Sequence, residues 1–262
     1  MKSLQTEVIL MLTEKLTFLF GPKASNDIDV NLKNDNTIVT EIDLFVSGLI
    51  KKKLSQHSRY SHYTFFSEEE FDKLLFPSAI LDPIDGTREL VKGRAECAVS
   101  LAMMNSPVIA DPLNYGWLYN PFSGFSLDSD VPFVSSNNKS KQKILGMVSR
   151  SEFEKGFFND FINFNSKVEI TPRGSIAFKL GLLASGGCDF VLSLSPKNIW
   201  DIAAGTILCS QRGIKLYQNG VEVKKLDELL ITGVLMWAPE ELSQELWSLV
   251  RDVKKFKNEK KS

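Results

Sequence analysis

The chain has 262 residues, 43% hydrophobic and 24% charged, an ordinary composition for a soluble globular protein with a large core in one big domain or two small ones. Its 31 basic and 32 acidic residues leave a formal net charge of −1, so no global basic field exists to attract nucleic acid and any phosphate must be bound by local charge. Cys97, Cys188 and Cys209 are odd in number and widely spaced among apolar or small residues; with no Cys-x-x-Cys and only His57 and His62, they read as buried free thiols in a reducing compartment, not zinc ligands.

The N-terminus lacks a basic stretch leading into an apolar one, and Glu14 and Lys15 interrupt its apolar pattern. Neither a signal peptide nor a membrane span is expected, and the cytoplasm is the expected compartment. Leu4, Val8, Met11, Leu12, Leu16 and Leu19 recur near helical spacing up to Gly21-Pro22 and predict an amphipathic helix over 4–20. After the polar stretch Lys33 to Thr37, Ile42, Val46, Leu49, Ile50 and Leu54 predict a second helix. Asp43 lies in its first turn, where an acid ordinarily serves as a cap or dipole partner. Tyr63 to Phe66 reads as a strand that runs into Glu68-Glu69-Glu70, with Glu68 nearest the strand end.

The next stretch, Leu81-Asp82-Pro83-Ile84-Asp85-Gly86-Thr87, carries the strongest chemical signal. Pro83 has no N–H and a fixed φ, so the chain leaves Ala79-Ile80-Leu81 sharply and Asp82 and Asp85 can face one pocket. Gly86 admits a ligand close to the backbone, and a helix starting after it aims free N–H groups at an anion. Two acids beside an anion site need a cation between them, and Mg²⁺ joins carboxylates to substrate phosphate oxygens in this way. Taken alone, Asp-Gly-Thr is also a hairpin or loop turn with solvated acids. The Asp-x-Asp-Gly-Thr pattern of phosphatases with a covalent aspartyl nucleophile fails on spacing, because Pro83 holds the nucleophile's place.

Beyond Thr87, Ala98 to Met104 predicts a buried strand, and Tyr115 to Tyr119 and Phe122 to Leu127 predict two more, so residues 1–140 read as antiparallel sheet with helices. Ser135 to Lys143 is the best internal boundary. Residues 141–262 then alternate: a strand over 144–148, a helix over 152–162, a strand over 168–170, a helix over 174–183 and a strand over 189–194, an α/β pattern. Asp201 precedes the small-residue helix Ile202-Ala203-Ala204-Gly205, which is able to pack tightly. The last helix, from Pro239 to Phe256, ends in a lysine-rich, solvated tail that includes Lys260 and Lys261.

Three segments in order, Ser67-Glu68-Glu69, Asp-Pro-Ile-Asp-Gly-Thr over 82–87, and Trp-Asp-x-Ala-Ala-Gly over 200–205, resemble the magnesium-dependent, lithium-sensitive superfamily of inositol monophosphatases and 3′(2′),5′-bisphosphate nucleotidases. The likeness runs from about Lys33 to Gly213. It implies a layered αβαβα sandwich, an α+β half followed by an α/β half, with the site at their junction. It also implies two or three Mg²⁺ ions: Glu68, Asp82 and the Ile84 carbonyl would hold the first, Asp82, Asp85 and Asp201 the second, and Glu68 a weaker third. The Gly86 and Thr87 amides would hold the phosphate, with Arg88 and Asp201 also facing substrate, while Thr87 paired with Asp43 would orient the attacking water. A small phosphorylated substrate and a homodimer are further implications.

Within the superfamily, Lys33 to Asp43, Arg88-Glu89-Leu90-Val91-Lys92, Val148-Ser149-Arg150-Ser151 and Asn198-Ile199-Trp200-Asp201 are similar to the bisphosphate nucleotidases. The chain departs from that pattern at Ile38 and Leu90, and Lys179 comes one position later than the nucleotidase lysine. The spacing from Gly174 to Gly186-Gly187 is closer to the inositol enzymes. The expected activity is conversion of adenosine 3′,5′-bisphosphate to AMP and phosphate. The alternatives are an inositol or other sugar monophosphatase, or a non-catalytic phosphate-binding regulator. Lys33, Arg88, Lys92, Arg173, Lys179 and Lys197 flank the motifs and are candidates to hold a non-reacting 5′-phosphate.

Overall fold

A computed structural model describes residues 1–20, 30–32, 38–132, 143–159 and 167–259. The stretch Lys33 to Thr37, the boundary segment except Lys143, the end of the helix expected over 152–162, and Lys260 and Lys261 lie outside the described residues.

Helix α1 (Lys2–Phe20) buries Leu4, Val8, Leu12 and Leu16, one residue per turn, so a single face meets the core. A two-stranded antiparallel ribbon, β1 (Val30–Leu32) and β2 (Ile38–Thr40), leads into α2 (Glu41–Ser55), which buries Ile42, Val46, Ile50 and Leu54. Both helices cover one face of a five-stranded sheet made of β3 (Thr64–Ser67), β4 (Ser78–Asp85), β5 (Ala98–Met104), β6 (Tyr115–Tyr119) and β7 (Ser126–Asp128), in that order. The short helix α3 (Thr87–Val91) lies between β4 and β5. Strand β5 is buried on both faces: Val99, Leu101 and Met103 face α1 and α2, while Ala98, Ala102 and Met104 face the next layer.

That layer is helical: α5 (Ile176–Ala184) and α6 (Ile199–Ser210), reached after the single turn of α4 (Arg150–Glu154). Behind it stands a six-stranded sheet built from β8 (Ile144–Ser149), β9 (Val168–Arg173), β10 (Phe190–Ser193), β12 (Ile214–Gln218), β13 (Val221–Glu222) and β15 (Leu235–Pro239), in the order 13-12-15-10-8-9. A small ribbon of β11 (Lys197–Asn198) and β14 (Leu230–Ile231) leads into α6, and α7 (Glu240–Glu259) closes the outer face through Leu246 and Val250. The result is the expected αβαβα layering. The central seam leaves no room for side chains at Gly116 of β6, where a Cβ would stand 2.6 Å from the carbonyl oxygen of Ala204, so α6 rests on that strand backbone to backbone.

Several expectations change in detail. The first sheet is not wholly antiparallel, because β3 runs parallel to β4. The second half is parallel only through β9, β8 and β10; β15, β12 and β13 add antiparallel strands. The strand expected over 122–127 begins only at Ser126, because the Asn120 side chain accepts hydrogen bonds from Phe122 N (2.9 Å) and Ser123 N (3.0 Å) and turns those residues instead. Of the helix expected over 152–162, α4 ends at Glu154, a turn follows over 155–158 and Asn159 is helical again, the remaining positions lying outside the described residues.

Candidate metal and phosphate site

The site forms where β4 breaks. Asp82 pairs with Ser100 and Asp85 with Ala98, so three residue steps on β4 oppose two on β5, and the bulge falls at Pro83, which has no N–H to give the ladder. Gly86 follows at φ 95°, a left-handed conformation that turns the chain directly into α3, and a Cβ there would stand 2.8 Å from the Glu96 carbonyl oxygen.

The bulge brings the two acids to a third. Asp201 lies inside the first turn of α6, not ahead of the helix as expected, and its Oδ2 accepts from the N–H of the cap residue Asn198 at 3.1 Å. Across the seam, Ser100 Oγ donates to the Trp200 carbonyl at 3.1 Å, which fastens the start of α6 beside the strand that pairs with Asp82. Asp82, Asp85 and Asp201 each offer an oxygen within 4.8 Å of the others. Asp82 is 1% exposed, and its Oδ1 has no hydrogen-bond partner among the described residues. Burial, then the charges of Glu68, Asp85 and Asp201, push its carboxyl well above the usual range. Burial and Asp85 likewise push Asp201 up to about 8, against the opposing pull of Lys197. Three crowded carboxylates around an unpartnered buried oxygen fit a hard divalent cation, which takes oxygen ligands and removes the repulsion.

Glu68 reaches the same cleft from the turn after β3, where its N–H donates to the Leu81 carbonyl at 3.0 Å. Asp43 caps its own helix and also reaches Thr87. Its Oδ2 accepts from Thr40 N (2.8 Å) and Thr40 Oγ1 (2.6 Å), closing a capping box on α2, while its Oδ1 faces Thr87 Oγ1 at 3.2 Å. Burial raises the Asp43 carboxyl in spite of the Thr40 bonds. The Thr87 hydroxyl also lies 2.9 Å from the carbonyl of Ile84, so one proton has two acceptors.

The cleft holds about 270 Å³. Glu68, Asp82, Asp85 and Asp201 line it together with Ile84, Gly86, Thr87, Arg88, Ser149, Arg150, Ser151, Gly174 and Lys197. Of the cations picked from sequence, Arg88 and Lys197 line the cleft, whereas Lys92 is exposed outside it and Lys33 lies outside the described residues. Arg173 is engaged by Glu96 at 3.0 Å, and Lys179 is buried behind the wall.

Sequence reasoning did not place Arg150, Glu96 or Ser175 in the site. The Glu96 carboxylate accepts from Arg150 Nη2 (2.6 and 2.7 Å), Arg173 Nη1 (3.0 Å) and Gly174 N (2.8 Å). Burial alone would raise that carboxyl, but these bonds outweigh it and hold it below its usual range. Ser175 Oγ and Ala177 N both donate to Asp85 Oδ2, at 2.5 and 2.6 Å. The only advance signal was the Val148-Ser149-Arg150-Ser151 segment, which marked a resemblance and not a position.

A sequence model of the inositol monophosphatase family matches residues 2–220. The chain belongs to the inositol monophosphatase family. Like the family's members, it is a phosphatase. Among its relatives, the 3′(2′),5′-bisphosphate nucleotidase CysQ of Aggregatibacter actinomycetemcomitans is 28% identical over 201 residues, 71% of this chain and 74% of that protein. Inositol monophosphatase 1 of Solanum lycopersicum is 26% identical over 212 residues, 71% and 73% of the two chains. Among solved structures, an inositol monophosphatase of Thermotoga maritima superposes with a TM-score of 0.73 at 22% identity, covering 97% of this chain and 99% of that one. CysQ of Bacteroides thetaiotaomicron gives 0.63 at 21%, covering 89% and 92%. The inositol monophosphatase fold thus extends across nearly the whole chain.

Proposed function

We propose that this phosphatase is a Mg²⁺-dependent 3′(2′),5′-bisphosphate nucleotidase that releases phosphate from adenosine 3′,5′-bisphosphate to leave AMP. The observation that carries the metal chemistry is the orphaned Asp82 Oδ1 amid two further carboxylates within 4.8 Å. Glu68, Asp82, the Ile84 carbonyl, Asp85 and Asp201 would hold two or three ions. When bound, the ions supply neutralisation of the acids and polarisation of the phosphoryl group.

The chain's own groups do the rest. Thr87, whose proton Asp43 Oδ1 and the Ile84 carbonyl can each accept, would turn a lone pair toward the cleft and orient the attacking water. Gly86 and Thr87 would flank the phosphate, and Arg88 lines the same cleft. Lys197, which lines the same cleft, supplies positive charge for a second phosphate, which inositol 1-phosphate lacks. The CysQ relatives support this substrate.

A second reading, an inositol or other sugar monophosphatase, is favoured by the inositol monophosphatase relatives and by the Gly174 to Gly186-Gly187 spacing. One experiment separates them: kcat/KM with Mg²⁺ for adenosine 3′,5′-bisphosphate, adenosine 3′-monophosphate and inositol 1-phosphate. The bisphosphate is expected to lead by at least about 10-fold, the equivalent of one modest phosphate contact. Parity or a lead for inositol 1-phosphate sinks the nucleotidase reading. The proposal also carries inhibition by millimolar lithium. Three buried cysteines outside any disulfide support residence in the reducing cytoplasm.

A further inference from the structure

Lys179 lies in α5 at 1% exposure, among Ile176, Ala177 and Leu180, and no carboxylate within salt-bridge distance balances it among the described residues. Burying an ammonium is costly, and an apolar side chain of similar volume would suit this packing better. Burial shows in its chemistry, pulling its pKa down to about 8. Its Nζ donates to two backbone carbonyls, Gly174 O at 2.8 Å and Arg173 O at 3.2 Å. Both belong to the turn that joins β9 to α5.

The same turn is gripped from the other side by Glu96, whose carboxylate takes the Gly174 N–H and the Arg173 guanidinium and whose carbonyl takes the Ser175 N–H at 3.3 Å. Carbonyls are held by Lys179 and N–H groups by Glu96, so the turn has little freedom. Its outward product is a pair of donors, Ser175 Oγ and Ala177 N, both on one oxygen of Asp85. Asp85 Oδ1 has no such donor among the described residues.

We propose that Lys179 is a positioning residue for Asp85: by holding the 173–175 turn it keeps Oδ2 occupied and Oδ1 available to a divalent cation. This rests on the reading of Asp85 as a cation ligand. The charge of Lys179 by itself repels a cation, so simple electrostatics and positioning predict opposite signs when that charge is removed.

The test is Mn²⁺ titration of the metal-free protein by calorimetry, with thermal melting run alongside to confirm folding. Lys179→Met, which removes charge and donors, should weaken Mn²⁺ binding by at least about 10-fold, the lower end for groups that orient a ligand. Lys179→Gln, one atom shorter and unable to span both carbonyls, should weaken it by at least about 3-fold and serves if the Met variant does not fold. Asp85→Asn should weaken binding, and on that background the Lys179 substitutions should add nothing, whereas general loosening would add its full effect. Unchanged or tighter Mn²⁺ binding in the Lys179 variants, with Asp85→Asn weakened, overturns the positioning role alone. Unchanged binding in Asp85→Asn overturns the ligand reading beneath it.

Discussion

Asp43 and Thr87, 44 residues apart, meet at 3.2 Å through the one oxygen of Asp43 that its capping box does not use. The cap fixes the carboxylate, and the carboxylate can then fix the hydroxyl. Thr87→Ala should therefore lower kcat by on the order of 10²-fold, the effect of misplacing a reacting group, while KM and Mn²⁺ affinity stay near normal. Asp43→Asn should do likewise. The double variant should be little worse than the worse single one; additive losses in steady-state kinetics would show that the two do not act as a unit.

Asp85→Asn and Asp201→Asn should each reduce turnover by at least on the order of 10²-fold at saturating Mg²⁺ and leave the protein folded. Asp85→Asn removes a charge that pushes Asp82 and Asp201 up, so the melting temperature of its metal-free form should equal or exceed the parent's. Near-normal turnover in both would remove these acids from the site.

The same crowding sets a pH dependence for the metal-free protein. The Asp82, Asp201 and Asp43 carboxyls lie above their unfolded value of 3.8, so between that value and their folded ones the native state binds more protons than the unfolded state. The stability these groups contribute is fully present below their unfolded value of 3.8 and is lost as pH rises through their folded values, that of Asp201 being about 8. Glu96, held below its usual value, acts in the opposite sense, and its contribution is lost only in more acidic solution. Denaturant melts from pH 4.5 to 8.5 should show declining stability in chelator and a flattened profile with Mg²⁺. A profile in chelator that rises with pH contradicts the crowding.

Lys197 lines the cleft from the ribbon before α6, as Arg88 does from the start of α3. Lys197→Met should raise KM for adenosine 3′,5′-bisphosphate by about 10-fold, as loss of one charged contact predicts, and change KM for adenosine 3′-monophosphate little. Equal effects on both substrates would place Lys197 at the reacting phosphate instead.

What could be read from the sequence follows how local each feature is. Asp82 and Asp85 were legible because Pro83 and Gly86 fix the backbone around them, and Asp201 because its motif sits at a helix start. Glu96, Arg150 and Ser175 were not. Their meeting depends on the first sheet lying against the end of β9, and no spacing along the chain encodes that. Strands β12 and β13 escaped notice because Lys215 and Asn219-Gly220 break their apolar runs into pieces too short for a period, and β15, Leu235–Pro239, is a short apolar run whose periodicity does not tell strand from buried helix. The parallel pairing of β3 with β4 was likewise hidden, since a loop of ten residues fixes no strand direction.

At Gly116, helix α6 and strand β6 touch main chain to main chain, one helical turn past Asp201. Side chains can change volume and repack, but backbone against backbone is a mechanical stop. The third carboxylate is thus gauged from the strand itself, and its placement is insulated from substitutions in the core around it. The exposed weak point of that arrangement is the stop: one methyl group at position 116 would act as a shim, lifting the helix by its own thickness and carrying Asp201 away from Asp82 and Asp85.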